Sequence, residues 1–552
     1  MHFRSWVRST LVWSLPVLAI GAQSAAGSQI PHIERRGSTM QLIVDDKPFL
    51  VLGGEVYNNS SMSLDSMTPL WPRFRALHLN TVLAPVSWAM LEKSEGKFDY
   101  SMLDGLVRDA RAHDLRLVLL WFGSWKNTWS SYAPDWVKRD FERFPRAQLR
   151  NGAATERLSP FSDACRDADA RAFAALMRRI REIDGDAHTV IMVQVENEVG
   201  MIPDARDYSP TANAAYQQPV PQQLMDYLSK HKDTLHPKLS AKWQAAGLKT
   251  AGNWEAVFGP GLETEDLFMA WHYARYIDKV AEAGKAQYNM PMFTNAALIR
   301  GSYVPGQFNS GGPLPHSMDV WKAAAPQLDF LAPDIYFEFK KWSAEYDRSD
   351  NPLFVPETQG GARGGACAFY AVGRHSALGF SPFGIDWFTR PEDGDARLSR
   401  NYEVLAQLAP LVLENQPKGR VTAVLLDEPT PSQKLQLGDF TLDVSATRPW
   451  RNSPDRPEYP EEPPLQTPYG IFVATGPDEF YLAGAGLTVR FSPNSPGPSF
   501  AGLATVEEGS FVDGRWHPGR TLAGDDTEQG NSVSLRGTAG PGILRVVLYR
   551  YR

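Results

Sequence analysis

A chain of 552 residues with 43% apolar content can bury a large core and divide into two or three domains. Its formal net charge of -7 leaves no basic footprint for nucleic acid. The two cysteines, Cys165 at an expected helix start and Cys367 in an expected loop, lie far apart, and a core of this size needs no disulfide.

Residues 1–26 resemble a secretory signal: Arg4 and Arg8 precede an apolar core from Leu11 to Ile20, and small residues follow around Ala22, Ser24 and Ala26. The apolar core is too short for a lasting anchor, so export to the periplasm or beyond is expected, without stable membrane insertion. From Phe49 onward, short apolar runs alternate with helical stretches. The runs are Phe49 to Gly53, Thr81 to Val86, Arg116 to Phe122, Thr189 to Glu196, Pro291 to Asn295, Phe330 to Tyr336, Leu353 to Glu357 and Ala377 to Ile385. Between them, Met67, Leu70, Phe74 and Leu77 keep helical spacing, as do Leu103, Leu106, Val107 and Ala110, then Phe173, Leu176, Met177 and Ile180. Strands alternating with helices imply parallel strands joined by right-handed crossovers, and eight such units predict a (β/α)8 barrel over residues 27–416. The stretch from Arg206 to Asp266 is too long for an ordinary loop and is expected to build one rim of a cleft. After Pro417 the alternation gives way to short strands, predicting an all-β sandwich domain over 417–552, with Pro449 to Pro468 as an extended loop.

Two apolar strands end on carboxylates. IMVQVENEVG, residues 191–200, breaks into Glu196, Asn197 and Glu198, and LFVPETQGG, residues 353–361, ends on Glu357. In a barrel of this kind chemistry sits at the C-terminal ends of the strands, so these carboxylates are expected to face a common site. One can protonate a leaving oxygen while the other meets the positive charge growing on an anomeric carbon. Period-two alternation points Glu196 and Glu198 the same way, so spacing leaves either of them available.

QVENE at Gln194 to Glu198, Glu357 on strand seven, and NTVLAPVSWAMLEKSEGKFDY from Asn80 to Tyr100 resemble the retaining TIM-barrel glycosidases. The nearest resemblance is to glycoside hydrolase family 35, the β-galactosidases, with family 42 similar over the same blocks. It implies Glu198 as acid/base, Glu357 as nucleophile, and Asn197 as hydrogen-bond partner of the 2-hydroxyl. It also implies an exo-acting β-galactosidase that needs no cofactor and takes a carbohydrate substrate; short bacterial relatives with one extra β domain include enzymes trimming galactose from plant xyloglucan. The chain departs from that pattern in GGEVYNNS, residues 53–60, where Glu55 persists but its followers differ, and in WFGSWKN, residues 121–127, which replaces the usual acidic sugar ligand.

Further sugar contacts are expected from Trp125 and Asn127 just past strand three, from Trp387 past strand eight as a stacking platform, and from Tyr336 as a donor to Glu357. The scattered histidines have no metal-ligand spacing, so no metal is expected. GGARGG, residues 360–365, lacks a phosphate-loop Lys-Ser/Thr and is read as a close turn beside the sugar. Two alternatives stay open: another exo-β-glycosidase removing arabinose or glucose, and a non-catalytic carbohydrate-binding protein.

Overall fold

A computed structural model describes residues 1–2, 29–387, 396–427, 431–447, 467–537 and 540–552. The signal-like segment and most of Pro449 to Pro468 lie outside the described residues. Eight parallel strand positions form the central sheet: β1 Val51–Glu55, β2 Thr81–Ser87, β3 Arg116–Lys126, β4 Val190–Asn197, β5 Met292–Ala297, β6 Phe330–Ile335, β7 as the two pieces Phe354–Val355 and Glu357–Thr358, and β8 Gly379–Phe380. Strand seven closes the barrel. Its first piece pairs with β8 and its second with β6, so the two ends of the sheet meet across Pro356. Proline has no N–H to give a ladder, which divides the strand at that point.

The barrel interior is filled by Val51, Leu83, Val118, Leu120, Ile191, Phe293, Phe330 and Phe354. Phe293 and Phe330 stack with centroids 4.9 Å apart. Leu42 and Val44 join the same cluster from an N-terminal antiparallel sheet, His32–Arg36, Thr39–Val44 and Lys47–Phe49, which plugs the mouth opposite the strand C-termini. The long helices Asp163–Asp184 and Leu262–Lys285 bury their apolar stripes outside the sheet. Short helices fill the Arg206 to Asp266 excursion. Among the described residues no helix is long and apolar enough to cross a membrane.

The C-terminal strands form a six-stranded and a four-stranded antiparallel sheet, whose facing sides bury Val424, Phe472, Leu482, Leu442, Val489 and Val546. The outer side of the six-stranded sheet contributes Ala423, Ile471 and Val473 to the barrel's helical core, packing on helix Gly361–His375. That contact is tight because position 373 is glycine: a Cβ there would lie 2.6 Å from the Ala423 Cβ.

Within these sheets, Ser432–Leu437 and Phe440–Ala446 form a hairpin turning at Gly438 with φ +58. Two local expectations are corrected. Cys367 lies inside helix Gly361–His375, and both cysteines are buried and unpaired. The GGARGG glycines largely belong to that helix; a Cβ on Gly365 would meet Asn401 at 2.5 Å, so this glycine admits a neighbouring helix and is no turn beside a ligand.

Candidate active site

At the C-terminal end of the barrel the structure gathers Glu55 from β1, Lys126 from β3, Asn197 and Glu198 from β4, Asp334 and Tyr336 from β6, and Glu357 from β7. Carboxylate oxygens of Glu198, Asp334 and Glu357 lie within 4.8 Å of one another. All three are nearly enclosed, at 8, 2 and 6% exposure. The parallel register that pairs Asp334 with Glu357 puts two of them side by side by backbone pairing alone.

Glu196 and Glu198 do not share a direction. Both have positive φ, +61 and +44, and this interrupts the alternation of β4 at its last residues. Glu196 turns into the barrel wall, where its carboxylate accepts the N–H groups of Ser124 at 3.0 Å and Trp125 at 2.6 Å. There it meets Asp169, which accepts from Trp121 Nε1 at 2.8 Å and the Ser124 hydroxyl at 2.6 Å. Burial, and then the charge of Asp169, pushes the Glu196 carboxyl well above its usual range, which keeps a proton within that pair. Glu198 turns into the site, its N–H held by Asn295 Oδ1 at 2.9 Å.

The Glu196–Asp169 unit also shapes β3. Between Trp121, paired with Val195, and Lys126, paired with Asn197, the strand bulges. A Cβ on Gly123 would lie 2.4 Å from Trp121 Nε1 and 2.5 Å from Glu196 Oε1, so the bulge closes over the carboxyls only with glycine there. Its outcome is Lys126, which the sequence reading did not single out. The Lys126 ammonium is buried and donates to Asn197 Oδ1 at 2.9 Å. Although burial disfavours its charge, the surrounding Glu357, Glu198, Glu55 and Asp334 outweigh that and keep it protonated. By engaging Oδ1 it fixes the Asn197 amide, whose Nδ2 has no partner among the described residues.

Each carboxyl has a different environment. Glu357 Oε1 accepts the Tyr336 hydroxyl at 2.6 Å, while Oε2 has no hydrogen-bond partner among the described residues. Glu198 is raised to about 7, by burial first and the Glu357 charge second, with Lys126 opposing. Glu55 is pushed well above its usual range by burial and by Glu357. Asp334, also unsuspected from sequence, is raised likewise. This divergence between paired carboxyls allows one to hold a proton while its neighbour is ionised.

The aromatic expectations divide. Trp125 has no exposed surface: its ring packs on Tyr273 and Tyr276 and its Nε1 donates to Leu158 O at 3.1 Å. It supports the wall and offers no face to a sugar, because the bulge points it away from the site. In the same stretch Trp129 is accessible, 46% exposed at the turn that pairs it with Lys126. Asn127 is exposed in that turn, and its N–H reaches Asn197 O at 3.2 Å. Trp387 is 60% exposed and stacks on Tyr57 with centroids 3.8 Å apart, just beyond Glu55.

A family model described as "Beta-galactosidase" (Glyco_hydro_42) matches residues 57–361, and a second, "Domain of unknown function (DUF5597)", matches residues 398–534. A β-galactosidase of Xanthomonas manihotis is 28% identical over 203 residues, covering 36% of this chain and 31% of that protein. The chain thus aligns with about a third of the curated relative's length. The solved β-galactosidase of Bacillus circulans sp. alkalophilus is similar at 16% identity and TM-score 0.46, covering 66% of this chain and 57% of its own. That of the psychrophilic Marinomonas ef1 gives 14% and 0.43, covering 66% and 60%. The family matched is number 42; family 35, the nearer resemblance read from the sequence, is a different one.

Proposed function

The chain belongs to the family of β-galactosidases described by the Glyco_hydro_42 model, and from that premise we propose that it is a retaining exo-β-galactosidase. The observation that carries the reading is the separation of Glu198 and Glu357. Carboxyls about 5 to 5.5 Å apart suit a covalent glycosyl-enzyme, whereas an attacking water needs roughly 6.5 to 9.5 Å; oxygens within 4.8 Å favour the former.

Glu357 attacks the anomeric carbon with its free Oε2, while the Tyr336 hydroxyl steadies Oε1. Glu198, a carboxyl that still holds its proton near neutrality, protonates the departing oxygen. Formation of the ester removes the Glu357 charge that raised Glu198, so Glu198 ionises more readily and activates the water that releases the sugar. Asn197 Nδ2 is the donor for the 2-hydroxyl, aimed by Lys126. Glu55 stands ready for a further sugar hydroxyl, and Trp129, Asn127 and Trp387 for the outer sugars. The enclosure of both glutamates supports action on a chain end. Residues 1–26 support export, and the resemblance to short bacterial relatives with one extra β domain supports a plant side chain such as that of xyloglucan as the natural substrate class.

Nitrophenyl β-D-galactoside, α-L-arabinoside, β-D-glucoside and β-D-fucoside, offered to wild type and Glu357→Gln, test the reading. The galactoside should be cleaved fastest and the variant should be silent. In Glu198→Ala, added azide should appear as a β-galactosyl azide. Turnover by Glu357→Gln, or an α-configured product, refutes the assignment.

A further inference from the structure

The reaction above uses two of the four carboxyls in the site and leaves Asp334 without a task. Its surroundings define one. Asp334 Oδ2 accepts from Asn295 Nδ2 at 2.7 Å. The other amide atom of the same asparagine, Oδ1, accepts the Glu198 N–H, so a single side chain ties Asp334 to the backbone of Glu198. Asp334 Oδ1 is buried and meets no N–H or O–H donor among the described residues. What it has nearby is the carboxyl of Glu198, an oxygen of which lies within 4.8 Å of an oxygen of Asp334.

Two carboxyls can share a hydrogen bond only if one of them carries the proton. The rest of the shell says which. Glu357 from β7, Glu55 from β1 and Glu198 from β4 face Asp334, with Lys126 from β3 as the nearby cation. The hydroxyls of Tyr336 and Tyr346 also feel its charge, Tyr336 already donates to Glu357, and Arg300 is a second cation acting on Glu198. A second ionised carboxylate here, with one oxygen undonated and 2% exposure, would be an uncompensated buried charge.

On the reading that this is a glycosidase site, we propose that Asp334 is held as a neutral carboxylic acid whose Oδ1–H donates to Glu198, a positioning residue that sets the protonation of the acid/base. Its proton stays on Oδ1 throughout the cycle. While Glu198 is protonated, Asp334 bonds its carbonyl oxygen and leaves the Glu198 hydroxyl for the departing group. Once Glu198 has given up its proton, the same bond stabilises the carboxylate that must accept one from water. A neutral acid suits this place because a charged donor would hold Glu198 ionised and spoil the first step, whereas an ionised Asp334 would prevent the second.

Asp334→Asn is the discriminating substitution, since its amide presents an N–H where Oδ1–H was and keeps the carbonyl that Asn295 Nδ2 needs. With nitrophenyl β-galactoside, the upper limb of the kcat/KM profile against pH should stay in place in Asp334→Asn and move up by about 1–2 units in Asp334→Ala, which has lost the donor. A downward move of a unit or more in Asp334→Asn would mean that a negative charge had been removed, and an unmoved limb in Asp334→Ala would mean that no donor had been lost; either overturns the proposal. The infrared difference spectrum of wild type minus Asp334→Asn at neutral pH needs no turnover. It should contain a carboxylic-acid C=O stretch, and a carboxylate pair in its place refutes the neutral acid even if the chain cleaves no galactoside. Absence of all cleavage with that stretch present would instead count against the glycosidase reading alone.

Discussion

Replacing Lys126 with methionine, which fills a similar volume without charge, removes the cation facing Glu55, Glu198, Asp334 and Glu357. An opposite charge within about 4–6 Å lowers a carboxyl by roughly 1–3 pH units, each worth about 1.4 kcal/mol. Asn197 Oδ1 simultaneously loses its donor at 2.9 Å, a further penalty of about 1–3 kcal/mol for a buried acceptor. The two effects share one side chain and do not simply add; together they should reduce kcat/KM at pH 7 by about 30- to several-thousand-fold, corresponding to roughly 2–5 kcal/mol. The sign is fixed by the chemistry. Without the ammonium, Glu198, already raised to about 7, rises further, so the upper limb of the kcat/KM profile should move to alkaline pH. Nitrophenol release measured from pH 4 to 10 reads both quantities. A Lys126→Met enzyme with wild-type kcat/KM and an unmoved upper limb would refute the argument that this cation tunes the carboxyls and aims Asn197.

Three further outcomes test separate parts of the site. Tyr336→Phe deletes the 2.6 Å bond to Glu357 Oε1, worth about 1.5–3 kcal/mol to an ionised group, and should lower kcat/KM by about 10- to 150-fold with little change in thermal midpoint; steady-state kinetics and melting decide it. Glu198 is raised from an ordinary 4.5 to about 7, so its ionisation destabilises the fold increasingly as pH rises from 4.5 through 7, by about 3 kcal/mol above that range. Glu198→Gln should therefore melt several degrees above wild type at pH 8 and close to it at pH 4, and equal midpoints at both would contradict the assigned direction. Gly123→Ala forces a methyl to within 2.4 to 2.8 Å of Trp121, Glu196 and Asp169, costing about 1–3 kcal/mol and displacing Lys126; thermal melting and kcat/KM should fall together.

The alternation of apolar runs with helical stripes determined the parallel barrel by itself, because strand and helix periods are local properties of neighbouring residues and the crossover rule converts them into topology. Glu357 and the Glu196–Glu198 pair were legible for the same reason: each ends a buried strand, and a barrel assembles strand ends at one face. The choice between Glu196 and Glu198 was not, since it depends on two positive φ angles and on Ser124, Trp125 and Asp169, which approach Glu196 only after β3 and β4 pair. Asp334 and Lys126 were equally silent. Their meaning comes from charges contributed by β1, β4 and β7, distant in sequence and gathered by closure of the sheet. Aromatic spacing suggested Trp125, but the bulge around Gly123 buries that ring and leaves Trp129 exposed, a reversal of direction that composition does not encode. Residue types and their order thus determined the scaffold and the supply of carboxyls, while tertiary structure decided which carboxyl faces the site and which keeps its proton, because burial and neighbouring charge belong to the assembled barrel.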